Sequence, residues 1–117
     1  MNNKETALYV ADALDAKKAS DIVILDIGER SGFADFFVIA TAINPRNMQA
    51  LSKEVENKLG ELGIDVRHIE GRDSTDWVLM DYGDIIVNIF TDEQRDRYQI
   101  EKIWNDCIRI DYQPKQA

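Results

Sequence analysis

Three sets of residues in this sequence have types and spacings that could do chemistry, and each falls short of what the chemistry needs. Asp26 and Asp35 flank a turn that contains Ser31 and Gly32. Small α/β folds that transfer nucleotides set a Gly-Ser turn before a strand bearing Asp-x-Asp, whose two carboxylates share one strand face and hold two metal ions. Here the second position is Phe37, so Asp35 alone cannot hold a two-metal site. Asp26, on the neighbouring predicted strand, could substitute in an unusual nucleotidyltransferase using magnesium, while the simpler reading makes Asp35 a strand-start hydrogen-bond acceptor. His68 is the single histidine and Cys107 the single cysteine, too few for a His/Cys metal cluster. A Ser-His-Asp arrangement could draw on Ser74 and Asp76, but nothing nearby supplies an oxyanion site, and His68 reads as a strand-end residue. Gly28 and Gly32 are not followed by the Lys-Ser/Thr pair that meets phosphate and magnesium, which excludes a P-loop.

The elements that would position these residues can be read from periodicity. Leu8, Ala11 and Leu14 repeat at helical spacing among Asp12, Asp15, Lys17 and Lys18, predicting an opening amphipathic helix that ends before Asp21. Residues 21–27 (DIVILDI) and 34–40 (ADFFVIA) are β-branched and nearly continuously apolar, and read as buried strands joined by a turn over Gly28 to Gly32. Asn44 followed by Pro45 signals a helix start, because the Asn side chain can cap free backbone donors and Pro suits the first turn. Met48, Leu51, Val55, Leu59 and Leu62 then form one stripe, with Gly63 as the stop. A short strand near Val66 to Ile69 would complete a β-helix-β crossover, which normally joins parallel strands. Trp77 to Met80 and Asp84 to Phe90 read as a hairpin across Asp81, Tyr82 and Gly83. Gln94 to Asn105 reads as a last helix. The expectation is a single α/β domain over residues 1–107, a mixed five-stranded sheet flanked by helices, and a polar tail with Pro114 over residues 108–117.

Composition narrows the function. A chain of 117 residues, 44% hydrophobic, can bury one modest core. Twenty-two acidic residues against fourteen basic ones give a formal charge of −8, which disfavours direct binding to a nucleic acid backbone. Work near RNA would have to go through a basic protein. From Glu70 to Asp106 there are ten carboxylates against four basic residues, which is either a solvated face or a partner surface. One cysteine permits no internal disulfide, and residues 1–6 are polar with no apolar run behind them, so the expected home is cytoplasmic and off the membrane.

The densest information lies between Glu70 and Trp104. Strand alternation puts Trp77, Leu79 and Asp81 on one face, and Val78 and Met80 on the other. A tryptophan on a strand is often core, whereas an aromatic beside an acid at a sheet edge suits an interface with a basic partner. Both readings stand at this point.

Taken together, DIVILDI, ADFFVIAT, EGRDSTDWVLMDYGDIIVNIF and RDRYQIEKIW resemble, in order and spacing, the blocks of the ribosomal silencing factor (Iojap-like) family, from about Leu8 to Trp104. The likeness requires Glu-Gly, Trp-x-x-x-Asp, Gly-Asp and Arg-x-x-Tyr-x-x-Glu-x-x-Trp to occur together. It implies a nucleotidyltransferase-like sandwich without catalytic carboxylates, no enzyme activity and no cofactor. It further implies binding to ribosomal protein uL14 on the inter-subunit face of the large ribosomal subunit, blocking small-subunit joining when nutrients are scarce, and a homodimer when no ribosome is present. Carried over position by position, the implied partner surface is Glu70, Trp77, Met80, Asp81, Tyr82, Arg95 and Tyr98, with Glu101 and Trp104 structural. The family motif usually has a histidine where this chain has Asn88, which can hydrogen-bond but cannot become charged near neutral pH.

Overall fold

The computed structural model describes residues 2–29, 31–73 and 76–113. Helix α1 (Asn3–Ala16) starts on a reciprocal cap: the Asn2 side chain accepts from the Glu5 amide, and the Glu5 carboxylate accepts from the Asn2 amide. Strands β1 (Ser20–Asp26) and β2 (Phe36–Ala42) follow as an antiparallel pair. Helix α2 (Pro45–Glu61) begins as its sequence predicts, with the Asn44 side chain accepting from Asn47 N at 2.7 Å and Pro45 in the first turn. Its stripe buries Met48, Leu51, Val55 and Leu59. Leu62 caps the end and is exposed, because Gly63 takes a left-handed φ of 77° and turns the chain away.

Strands β3 (His68–Glu70), β4 (Trp77–Asp81) and β5 (Ile85–Thr91) come next, then helices α3 (Asp92–Tyr98) and α4 (Ile100–Ile103) and strand β6 (Ile108–Ile110). The sheet has six strands in the order β3-β4-β5-β2-β1-β6, which corrects the expected five. The sixth, β6, lies in the stretch expected to be tail and pairs antiparallel with β1 from Ile108 opposite Asp26 to Ile110 opposite Ile24. Beyond it Tyr112 packs against the core beside α1 and donates to Asp12 Oδ1 at 3.0 Å. Pro114 lies outside the described residues.

The sheet is mixed, as expected, but its parallel pair is β2 with β5. The crossover through α2 lands on β3, which among the described residues bonds only to β4 at the sheet edge. The predicted last helix is broken in two at Gln99, which takes a left-handed φ of 46°. The break brings Glu101 back to Arg95, whose Nε donates to Glu101 Oε1 at 2.9 Å.

Side-chain alternation divides the core into two layers. Val38, Ala40, Val78, Met80, Val87 and Ile89 face α1 and α2. Val23, Leu25, Phe37, Ile39, Ile86 and Phe90 face the other way, where Ile100, Trp104 and Cys107 cover them. Helices α3 and α4 bury none of their own residues, so this second cover is thin and Trp77 and Leu79 at its margin stay half-buried.

Candidate docking surface

The margin between β3, β4 and α3 brings together Glu70, Trp77 and Tyr98. Glu70 on the edge strand pairs in register with Leu79, and the chain then leaves β3 through Gly71 at a φ of 74°, a conformation that glycine adopts without strain. Glu70, Gly71, Trp77 and Leu79 line a mainly apolar recess of about 240 Å³. The Trp77 ring lies 4.9 Å from Phe90 and 5.0 Å from Tyr98, centroid to centroid. Tyr98 itself is 50% exposed. The indole N–H donates to Asn88 Oδ1 at 3.1 Å. His68 Nε2 meets Glu70 Oε1 at 2.6 Å on the open edge. An apolar floor with a carboxylate at its rim suits a protein partner that brings aliphatic stems and positive charge.

The seven residues expected on a partner surface divide sharply. Glu70, Trp77 and Tyr98 lie together and accessible at this margin. Asp81 is half-buried and shares the Trp77 face of β4, with Oδ1 accepting from Gly83 N at 2.7 Å to close the hairpin turn. That turn is crowded: the Arg67 guanidinium carbon lies 2.7 Å from where a Gly83 Cβ would stand, and Gly83 has a φ of 88°. Met80 does not belong to the surface, because it is 0% exposed and packs in the helix-facing core. Tyr82 is also buried, and its hydroxyl finds no partner among the described residues. Burial, with the charge of Glu56 adding to it, raises the Tyr82 pKa far above the usual phenol range, so this side chain stays neutral. Arg95 is a clamp: beyond its bond to Glu101, its Nη1 donates to Thr41 Oγ1 at 2.9 Å and to the Asp21 carbonyl at 2.5 Å. Those bonds tie α3 to the far end of β1 and β2 and leave the Arg95 side chain only 12% exposed.

The sequence matches, over residues 1–117, the family described as "Ribosomal silencing factor during starvation". The chain belongs to the ribosomal silencing factor family. It is 39% identical over 111 residues to the ribosomal silencing factor of Bacillus subtilis, covering 95% of this chain and 94% of that one. Its fold is similar to the crystal structure of a Chromobacterium violaceum protein, with a TM-score of 0.87, 30% identity, and 99% and 98% of the two chains covered. A Bacillus halodurans crystal structure matches with a TM-score of 0.82 and 32% identity, over 93% of this chain and 99% of that one. Membership carries the coarse function, that of a ribosome-associated regulator of translation.

In this ribosomal silencing factor, Asp26 and Asp35 do converge: both Oδ1 atoms lie about 3.5 Å from where a Gly28 Cβ would stand. Each carboxylate is engaged locally, however. Asp26 Oδ1 accepts from Gly28 N at 3.2 Å, and Asp35 Oδ2 accepts from Asn3 Nδ2 at 2.8 Å. Asp35 therefore anchors the start of α1 to the β1–β2 loop, which matches its reading as a strand-start acceptor. No group of three or more His, Cys, Asp or Glu that could hold a metal occurs among the described residues. Ser74, needed for a Ser-His-Asp arrangement, lies outside the described residues; His68 opens β3 and is exposed. Two contributors were absent from the expected surface. Leu79 could have been found from its alternation with Trp77, and Asn88 from its polarity within the buried run of β5.

Proposed function

We propose that this chain represses translation by binding ribosomal protein uL14 on the large ribosomal subunit and sterically preventing the small subunit from joining, under nutrient limitation. It acts in the cytoplasm as a docking protein without catalytic activity, and free copies pair as homodimers. The observation that carries the reading is the recess of Glu70, Gly71, Trp77 and Leu79 beside the exposed Tyr98, on a chain of formal charge −8. Such a surface offers aromatic anchors for affinity and an acidic field to steer a basic partner. The competing reading, a degenerate nucleotidyltransferase with magnesium, leans on Asp26 and Asp35, which already serve as acceptors within the β1–β2 loop and to α1.

Sedimentation with separated ribosomal subunits tests this. The chain is expected to co-migrate with the large subunit and not the small one, and the bound fraction should fall as salt rises from about 0.05 to 0.5 M, because the screening length of exposed charges shrinks from about 14 Å to about 4 Å over that range. Absence from the large-subunit peak at low salt would remove the proposal. Binding indifferent to ionic strength would remove the steering argument while leaving the aromatic anchors.

A further inference from the structure

Asn88 is fully buried on β5, opposite Ile39 of β2 and Leu79 of β4. Its Oδ1 accepts the Trp77 indole N–H. An indole nitrogen only donates, so the amide oxygen has to face it and the amide nitrogen has to turn away. Once turned, Nδ2 finds no hydrogen-bond partner among the described residues. Burying an unsatisfied donor costs stability, and an aliphatic side chain between Ile39 and Leu79 would avoid that cost. The return on an amide here is confined to Trp77. Phe90 and Tyr98 each lie about 5 Å from the indole but only 6.5 Å from each other, so they do not sandwich it. Ring contacts of this kind prefer offset or edge-to-face arrangements over a spread of distances and tilts, and so fix the indole less tightly than a hydrogen bond does. The bond to Asn88 is directional and reaches the indole from inside the sheet.

We propose that Asn88 is a positioning residue for the docking surface, fixing which edge of the Trp77 indole lines the recess beside Glu70, Gly71 and Leu79. The proposal rests on the docking reading above. Asn88 makes no contact with a partner itself, since it is 0% exposed. Its whole effect passes through Trp77. Asn88→Leu removes one orphaned donor, Nδ2, but takes the acceptor from the Trp77 indole N–H, so the two effects oppose each other and the fold should change little in stability.

The experiment uses the full chain with Trp104→Phe, so that Trp77 is the sole tryptophan emitter, and compares Asn88 with Asn88→Leu. Asn88→Val takes its place if leucine is not accommodated. The leucine variant should show lower Trp77 fluorescence anisotropy, a melting temperature within about 5 °C of the parent's, and large-subunit affinity weaker by roughly five- to tenfold, the scale of one lost hydrogen bond. In a Trp77→Phe background, the same change at Asn88 should have no further effect on affinity, since the indole N–H is already gone. Unchanged anisotropy, full affinity despite a loosened indole, or an equal affinity loss in the Trp77→Phe background would each overturn the proposal. If the parent protein itself fails to bind large subunits, the functional reading falls, and anisotropy alone still decides whether Asn88 fixes the indole.

Discussion

Replacing Trp77 with alanine is expected to weaken binding to the large ribosomal subunit by about 2 kcal/mol or more, roughly thirtyfold. The expectation comes from where the ring sits. Trp77 is half-buried at the margin of the sheet's second face, lines the recess with Glu70, Gly71 and Leu79, and has Tyr98 beside it. Large aromatic side chains in such partly covered positions concentrate binding energy because a partner completes their burial. Alanine also removes contacts with Phe90 and Tyr98, so some loss of stability accompanies the change. The two effects separate when affinity is titrated well below the variant's melting temperature. A lower melting temperature with intact affinity of the folded protein would make Trp77 a core residue and move the docking surface elsewhere.

Met80→Ala is expected to do the reverse. The side chain is 0% exposed, in the layer that α1 and α2 cover. Removing it deletes its burial and leaves a cavity, at a cost of about 2–5 kcal/mol. That is a large part of the roughly 5–15 kcal/mol by which a domain of this size is stable, and should lower the midpoint of thermal unfolding by about 10 °C or more. Denaturant unfolding measures it directly. Affinity of the folded variant for large subunits should stay within about twofold of the parent, since neighbouring strand residues face opposite sides and Met80 points away from the recess. A loss of affinity matching that of Trp77→Ala, with stability unchanged, would place Met80 on the surface after all.

The contrast between these two residues shows what could be read from the sequence. Alternation along β4 separates Trp77 and Leu79 from Val78 and Met80, and the structure keeps that division. Met80 entered the expected surface by position in a motif, against its own periodicity. Local chemistry also carried α2, whose Asn44-Pro45 start and apolar stripe depend only on neighbours in the chain. What stayed illegible depends on distant partners. The pairing of β2 with β5 joins segments more than forty residues apart, and nothing near β3 indicates that it bonds to β4 alone. Residues 108–110 are too few to display a strand period, and they acquire one by pairing with β1. Gln99 carries no glycine or proline signal for the break between α3 and α4, at which Glu101 turns back onto Arg95. Arg95 reads in sequence as an available cation and is instead held by Asp21, Thr41 and Glu101. Asn88 was visible as a polar residue in an apolar run, but its link to Trp77 needed the register that sets Trp77 opposite Phe90 and Leu79 opposite Asn88.

The most direct test of the central claim is the yield of joined ribosomes when separated large and small subunits are mixed at fixed magnesium, with the purified chain added to the large subunit first. The account predicts that the joined peak falls as the chain is titrated in and that the chain stays with the unjoined large subunit. A joined peak of undiminished size, with the chain riding on it, would contradict steric silencing even if binding to the large subunit were tight.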